Sequence, residues 1–554
     1  MQNKLAIQQT KTMTAAHAIV ECMKREKVTN VFCVPGESYL PLLDALYDEP
    51  SIRLISARHE GGASFIAEGY AKASLKPGVV LATRGVGATN LSIGVHTAYQ
   101  DSTPMVVFLG QVHRKFRGRE GFQEIDLEKF FQPISKWAVE VTDPERMPEL
   151  VQQAFRVAQS GRPGPVIVSL PEDVLPVEGE MSFKPVTERP KPAPSQTEIE
   201  QIEQILTSAK SPLIIAGGGV KLSQGEDLLL RFAERFTIPT IAAFRRHDIF
   251  PNNHPLYAGH LGLGTNKQII ERVKETDVIL ALGTRLSEVT TQDYTLFEAD
   301  QRLVHIDIDH QIIGKVYAPD IGVVADLQQA FELLLQINIK PSWSTWAGLC
   351  RTSYIQTSEL TINEGDVINK HIIQKLNDQL PKHALLTNDA GNFAGWLHSF
   401  YSFDEKHTYV GPTSGAMGYG MPAALGAKLA YPSKTVVSLS GDGGFMMTFQ
   451  ELETAVRESI PIIAIVFNNN MYGTIRMHQE MHYPNRVMGT DLGDVSFADL
   501  ATSIGAIGKR VLDIEQFESA LDLALQEEKP TVIEVLTDKE HISVSSTITQ
   551  LRNR

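Results

Sequence analysis

Cysteine is scarce. The 554-residue chain holds three, Cys22, Cys33 and Cys350, at spacings that match no metal-binding pattern, so a disulfide framework or a zinc site is not expected and a reducing, cytoplasmic setting is. Long apolar runs are missing too: none approaches the roughly 20 residues that span a bilayer. Residues 1–14 are polar and lack the apolar segment of a secretory signal. Positive charge is in deficit, with 51 Lys and Arg against 65 Asp and Glu for a net charge of -14. That balance argues against general binding to nucleic acid or to anionic membranes. Short-period repeats and low-complexity tracts are absent as well, which removes solenoid and fibrous architectures.

The remaining composition, 43% hydrophobic and 21% charged residues, is that of a soluble globular protein. The length calls for about three cores. Short apolar runs at 79–83, 105–110, 166–170, 213–216, 278–282, 303–308, 435–439, 461–467 and 531–535 alternate with helical patterns. Such alternation predicts an α/β protein of three domains, each a parallel sheet flanked by helices. Residues 184–195 contain four prolines and cannot hold a helix or a central strand. A second break opens at Pro341, ahead of a helical pattern over 345–360. These breaks place the domains at 1–183, 184–345 and 346–554.

Two clusters carry chemistry. After the apolar run 435–439 comes Gly441-Asp442-Gly443-Gly444, and Asn469 of Asn468-Asn469 lies 27 positions beyond Asp442. An amphipathic segment over 446–459 and a second apolar run separate them. That is a strand ending in Asp, a helix, and a strand ending in Asn, which puts both side chains at one edge of a parallel sheet. Glycines let a phosphate approach the backbone, and the following helix start offers free N–H groups. An anionic oxygen from Asp442, a neutral one from Asn469 and the carbonyl of Met471 suit a hard cation such as Mg²⁺, which takes few protein ligands beside phosphate oxygens. The second cluster, Arg58-His59-Glu60-Gly61-Gly62, follows an apolar run at 52–56 and opens a helix over 63–74. Alone, Glu60 there would only complement the helix dipole.

Together the clusters resemble the thiamine diphosphate-dependent enzymes of the 2-oxo acid decarboxylase and acetolactate synthase group, over nearly the whole chain. The resemblance implies domains in the order pyrimidine-binding, central and diphosphate-binding. It implies a homodimer or homotetramer whose active sites lie between chains, with Glu60 from one and Asp442 with Asn469 from the other. Glu60 would hydrogen-bond the aminopyrimidine ring of the cofactor and so promote deprotonation of the thiazolium carbon that attacks a 2-oxo acid. Met417, in Gly415-Ala416-Met417-Gly418, matches the apolar residue that bends the cofactor. Gly391-Asn392-Phe393 falls where the family contacts the diphosphate, and Tyr472-Gly473 follows the metal ligands as a phosphate-side turn.

Other segments are most similar to the acetolactate synthase branch: Gly85-Val86-Gly87-Ala88, Asp101-Ser102-Thr103-Pro104, Gly110-Gln111 and Gly121-Phe122-Gln123-Glu124. In that branch the residues matching Phe122, Gln123 and Lys136 line the substrate channel from the neighbouring subunit. The branch implies decarboxylation of a 2-oxo acid, with pyruvate first, and carboligation. A decarboxylase or lyase that releases or uses aldehydes is the alternative. Departures bear on that choice. Where biosynthetic members carry a substrate-binding arginine, in an Arg-Phe-Asp-Asp-Arg stretch, this chain reads Arg285-Leu286-Ser287-Glu288-Val289. His478 stands in place of their acceptor-pocket tryptophan, and Tyr472-Gly473-Thr474 replaces Leu-Gly-Met. FAD, a structural cofactor of the biosynthetic enzymes, stays open, because the Gly217-Gly218-Gly219 run is weak evidence for a dinucleotide.

Overall fold

Three six-stranded, all-parallel sheets frame the protein in the computed structural model, which describes residues 9–363 and 365–553. The polar segment read at 1–14 therefore lies outside the described residues as far as residue 8. Parallel strands need long crossovers, and the crossover helices cover both sheet faces. Strands such as Met105–Gln111 and Pro165–Pro171 are buried along their whole length, which is why the apolar runs predicted them correctly.

The first sheet runs Arg53–Ser56, Asn30–Cys33, Gly78–Thr83, Met105–Gln111, Pro165–Pro171, Trp137–Glu140. The second runs Tyr257–His260, Thr240–Ala242, Pro212–Ala216, Val278–Leu282, Arg302–Asp307, Ile321–Val324. The third runs Tyr409–Val410, Leu385–Asn388, Val436–Gly441, Ile463–Asn468, Thr531–Leu536, Ile507–Val511. An antiparallel pair, Gln9–Thr14 with Glu178–Phe183, closes the first domain. Edge strands escape the apolar-run reading because half their side chains face water: Ile321–Val324 alternates buried and exposed, and Ile507–Val511 exposes Lys509 and Arg510.

The proline-rich stretch forms neither helix nor strand as far as residue 194, and Ser195 then opens the helix Gln196–Thr207 by reciprocal capping with Glu198. The second break differs from expectation. Helix Ser344–Ser358 buries Trp346, Ala347 and Cys350 in the core of the central sheet, and the Trp346 indole donates to the Pro212 carbonyl at 2.9 Å. By packing, we place the second boundary after Ser358. The segment 446–459, read as one helix, is two, Asp442–Thr448 and Glu451–Arg457.

The first and third domains meet through helices Glu60–Ser74 and Gly420–Ala430, whose backbones nearly touch. A Cβ added at Gly69 would lie 2.5 Å from Ala423 Cα, and one at Gly426 would lie 2.1 Å from the Ile66 carbonyl oxygen. Beside this seam, Lys72 bridges Glu68 and Asp101 at 3.0 Å each, Arg246 of the central domain reaches Asp101 at 3.5 Å, and Asp101 accepts the Thr413 N–H at 3.0 Å. Gly426→Ala must separate the helices, so the thermal midpoint should fall by the equivalent of about 1–3 kcal/mol, the usual cost of overpacking. An unchanged melt would show that the helices tolerate wider spacing.

Candidate active site

Gly441 pairs opposite Phe467 in the third sheet, so Asp442 and Asn469 leave adjacent strands at the same carboxyl edge, the usual position for ligands in α/β folds. Asp442 begins helix Asp442–Thr448 and is buried. Its Oδ1 accepts the Gly443 N–H at 2.7 Å, and its Oδ2 accepts the N–H groups of Asn469 and Met471 at 3.2 Å each. Burial lifts the Asp442 carboxyl above its ordinary range against these donors. Asn468 and Asn469 part ways: the Asn468 amide is tied to buried Glu534 at 2.8 Å, while Asn469 faces a cavity. A second segment pins the loop, with Tyr472 N–H donating to Thr490 O and Leu492 N–H to Asn470 O, both at 2.8 Å.

The cavity, about 870 Å³, is lined by Gly391, Asn392, Phe393, Gly415, Met417, Gly441, Asp442, Gly443, Gly444, Asn469, Met471, Tyr472 and Gly473. Every diphosphate-side residue expected from the sequence thus comes together. A Cβ on Gly443 would lie 2.5 Å from the Tyr472 ring, and Gly415 holds φ +70° with open space before it. Asn392 also latches the C-terminal segment to helix Gly473–His482. Its side-chain amide donates to Ile542 O at 3.0 Å and accepts from the Thr474 hydroxyl at 3.0 Å.

Glu60 is elsewhere. It opens helix Glu60–Ser74, half-buried, with Oε2 accepting from the Asn90 amide at 2.9 Å, and it does not line the Asp442 cavity of its own chain. Glu451 fixes its position from the third domain. This buried carboxyl accepts the N–H of His59 at 3.0 Å, that of Arg58 at 3.2 and 3.3 Å, and the Thr454 hydroxyl at 2.8 Å.

Comparison with known proteins places both clusters in domains of one family. Residues 13–130, 199–334 and 389–535 match the N-terminal TPP binding, central and C-terminal TPP binding domains of thiamine pyrophosphate enzymes. The chain belongs to the thiamine pyrophosphate enzyme family. A probable acetolactate synthase large subunit of Methanocaldococcus jannaschii is 34% identical, covering 95% of this chain and 92% of the relative. The acetolactate synthase isozyme 2 large subunit of Escherichia coli is 32% identical over 95% of this chain and 96% of its own length. The Lactococcus lactis large subunit is 33% identical over 96% and 94%.

The cavity fits thiamine pyrophosphate: Gly391, Gly415, Gly441, Gly443 and Gly444 bring main chain to its wall, helix Asp442–Thr448 begins there, and Met417 stands two residues beyond Gly415 in the same wall. The channel residues are dispersed. Phe122 is 71% exposed in a separate hollow with Arg84, Phe116 and Arg119. Gln123 holds φ +64° and its carbonyl accepts the Gly85 N–H at 2.9 Å. Lys136 is not beside them: its ammonium donates to the carbonyls of Val157 and Ser160, capping the end of helix Met147–Gln159, and burial depresses its pKa to about 8. His478 is exposed and stacks on His482, while Thr474, Ile475, Met477 and Met481 of the same helix line the cavity. The Gly217–Gly219 run is explained by packing, since a Cβ on Gly217 would lie 2.3 Å from the Gly283 carbonyl oxygen.

Sequence reasoning missed Asp389, Arg245 and Glu451, and gave no role to Asn90, which ends the Gly85-Val86-Gly87-Ala88-Thr89-Asn90 segment. Each acts across a domain or helix boundary, and only Asp389, just ahead of Gly391-Asn392-Phe393, offered a local signal. Burial raises the Glu451 carboxyl from 4.5 to about 7. The folded chain therefore holds this proton more tightly than the unfolded one; the stabilisation is complete below pH 4.5 and is lost as pH rises to about 7. Glu451→Gln cannot titrate, so its stability relative to the parent should rise by up to about 3 kcal/mol between those limits. Parallel stability profiles in denaturant titrations across that range would contradict this.

Proposed function

We propose that this enzyme decarboxylates a 2-oxo acid and joins the remaining fragment to a second 2-oxo acid. With pyruvate in both places, two molecules give one 2-acetolactate and one CO₂. The observation that carries this reading is the cavity uniting Asp442, Asn469, Met471, Gly415 and Met417, in a chain whose relatives are named acetolactate synthase large subunits. Those names favour carboligation over aldehyde release.

Bound thiamine diphosphate supplies the nucleophilic carbon and the electron sink for decarboxylation. Asp442, the Asn469 side-chain oxygen and the Met471 carbonyl would hold Mg²⁺, a set with one carboxylate that suits a cation shared with phosphate oxygens. The glycines at 443 and 444 and the helix start would receive the diphosphate. Met417 would pack against the cofactor. Asn90 holds Glu60 Oε2, while Oε1 has no donor among the described residues. That free oxygen would be available to hydrogen-bond a pyrimidine nitrogen.

Because Glu60 does not line its own chain's cavity, the working site takes it from a second copy. Val86 and Ile93, on the helix that carries Asn90, are 50% and 43% exposed, and Met446 and Met447, just after Asp442, are 50% and 47% exposed. Apolar surface thus flanks both half-sites and suits a homodimer or a homotetramer.

Glu60→Gln should retain thiamine diphosphate and Mg²⁺ binding, read by tryptophan fluorescence, while turnover falls by about 10²–10⁴-fold, the range for lost acid–base catalysis; an active variant refutes the role. Glu60→Gln and Asp442→Asn should each be inactive alone, and mixed subunits should regain activity by pairing one intact Glu60 with one intact Asp442. Failure of refolded mixtures to recover any activity would place both residues in a single-chain site. Mass spectrometry of products from pyruvate should show acetolactate; acetaldehyde alone would overturn the carboligase assignment.

A further inference from the structure

Arg245 lies just beyond strand Thr240–Ala242, at the carboxyl edge of the central sheet, in the left-handed conformation with φ +54°. It is 4% exposed, yet it lines the same cavity as Asp442 and Gly415. Nη2 donates to the Asp389 carbonyl at 3.4 Å, while Nε and Nη1 are buried without an acceptor. Among the described residues no carboxylate oxygen lies within 4.0 Å of the guanidinium. The acidic group whose charge it does feel, Asp389, accepts the N–H groups of Tyr419 and Gly420 at Oδ1, and its Oδ2 makes no ion pair with the guanidinium. A buried guanidinium left without an anion is costly, and such an orphan calls for a ligand.

Two histidines of the cavity wall do not supply that charge. His260 and His398 line the cavity, but burial drives His260 down to about 4 and His398 well below its ordinary range, so both are neutral near pH 7. Arg245 is the only lysine or arginine among the described lining residues. Val289, at the position where the resembling biosynthetic enzymes carry a substrate arginine, lines this same cavity.

We propose that Arg245 binds the carboxylate of the 2-oxo acid, approaching from a different strand end the space that Val289 leaves without charge. The assignment rests on the proposed reaction. An arginine offers charge-assisted N–H···O bonds to a carboxylate, stronger than neutral ones. A cofactor diphosphate presents the same kind of oxygen, so the test must separate the two sources.

The experiment uses the full-length protein loaded with thiamine diphosphate and Mg²⁺, with Arg245→Gln and Arg245→Lys as variants. Oxamate, an unreactive pyruvate mimic, should raise the thermal midpoint of the parent, fail to raise that of Arg245→Gln, and raise that of Arg245→Lys in part. KM for pyruvate should increase about 10- to 100-fold in Arg245→Gln, the factor for losing a charge-assisted hydrogen bond, while cofactor affinity by tryptophan fluorescence stays within about twofold of the parent. An unchanged oxamate shift and KM would overturn the assignment. A matching loss of cofactor affinity would also overturn it, by giving Arg245 to the diphosphate. If Arg245→Gln does not fold, the same readings on Arg245→Lys decide, since full retention of the oxamate shift and KM there counts against a specific carboxylate contact. A parent enzyme that binds cofactor but turns over no 2-oxo acid defeats the proposed reaction itself, a result read before any variant is made.

Discussion

The close contact between helices Glu60–Ser74 and Gly420–Ala430 is the constraint on which the arrangement depends. Gly69 and Gly426 let the two backbones meet where any larger residue would collide with main chain. That seam joins the domain carrying Glu60 to the domain carrying Asp442, and it buries charge beside itself: Glu68, Lys72 and Asp101 form a network that also engages Arg246 of the central domain. Breaking a buried ion pair leaves an uncompensated charge at a cost of several kcal/mol, so this network ties all three domains at one place.

A second contact between these two domains bears on where Glu60 stands. Glu451 grips the backbone of Arg58 and His59 and so fixes Glu60 against its own third domain, yet away from that domain's cavity. A residue held this firmly can serve a neighbouring copy without rearrangement. Rigid packing inside the chain and open chemistry at its edge are two results of one geometry. The orphaned nitrogens of Arg245 fit this pattern, since cavity walls are where proteins leave polar groups unmatched until a ligand arrives.

Much of this was legible in the residues. Buried parallel strands announce themselves as apolar runs, and the Gly441 to Asn469 spacing encodes one strand–helix–strand unit. Edge strands such as Ile507–Val511 were obscure because water on one side removes the apolar signal. The end of the central domain was obscure because helix Ser344–Ser358 follows a proline break yet packs backward on the preceding sheet. Lys136 shows the limit of matching by position: its ammonium caps a helix of its own domain, a bond that depends on where that helix ends.

By itself the sequence determined the three α/β units, the residues that gather around Asp442 and the family, because these rest on local periodicity and on short motifs whose spacing is a property of one crossover. Only the tertiary structure decided that the Asn468 amide is tied to Glu534, that Glu451 holds the backbone just ahead of Glu60, and that Arg245 and Val289 line one cavity. Each of those outcomes depends on side chains from separate elements meeting across packed interfaces, which no linear spacing records.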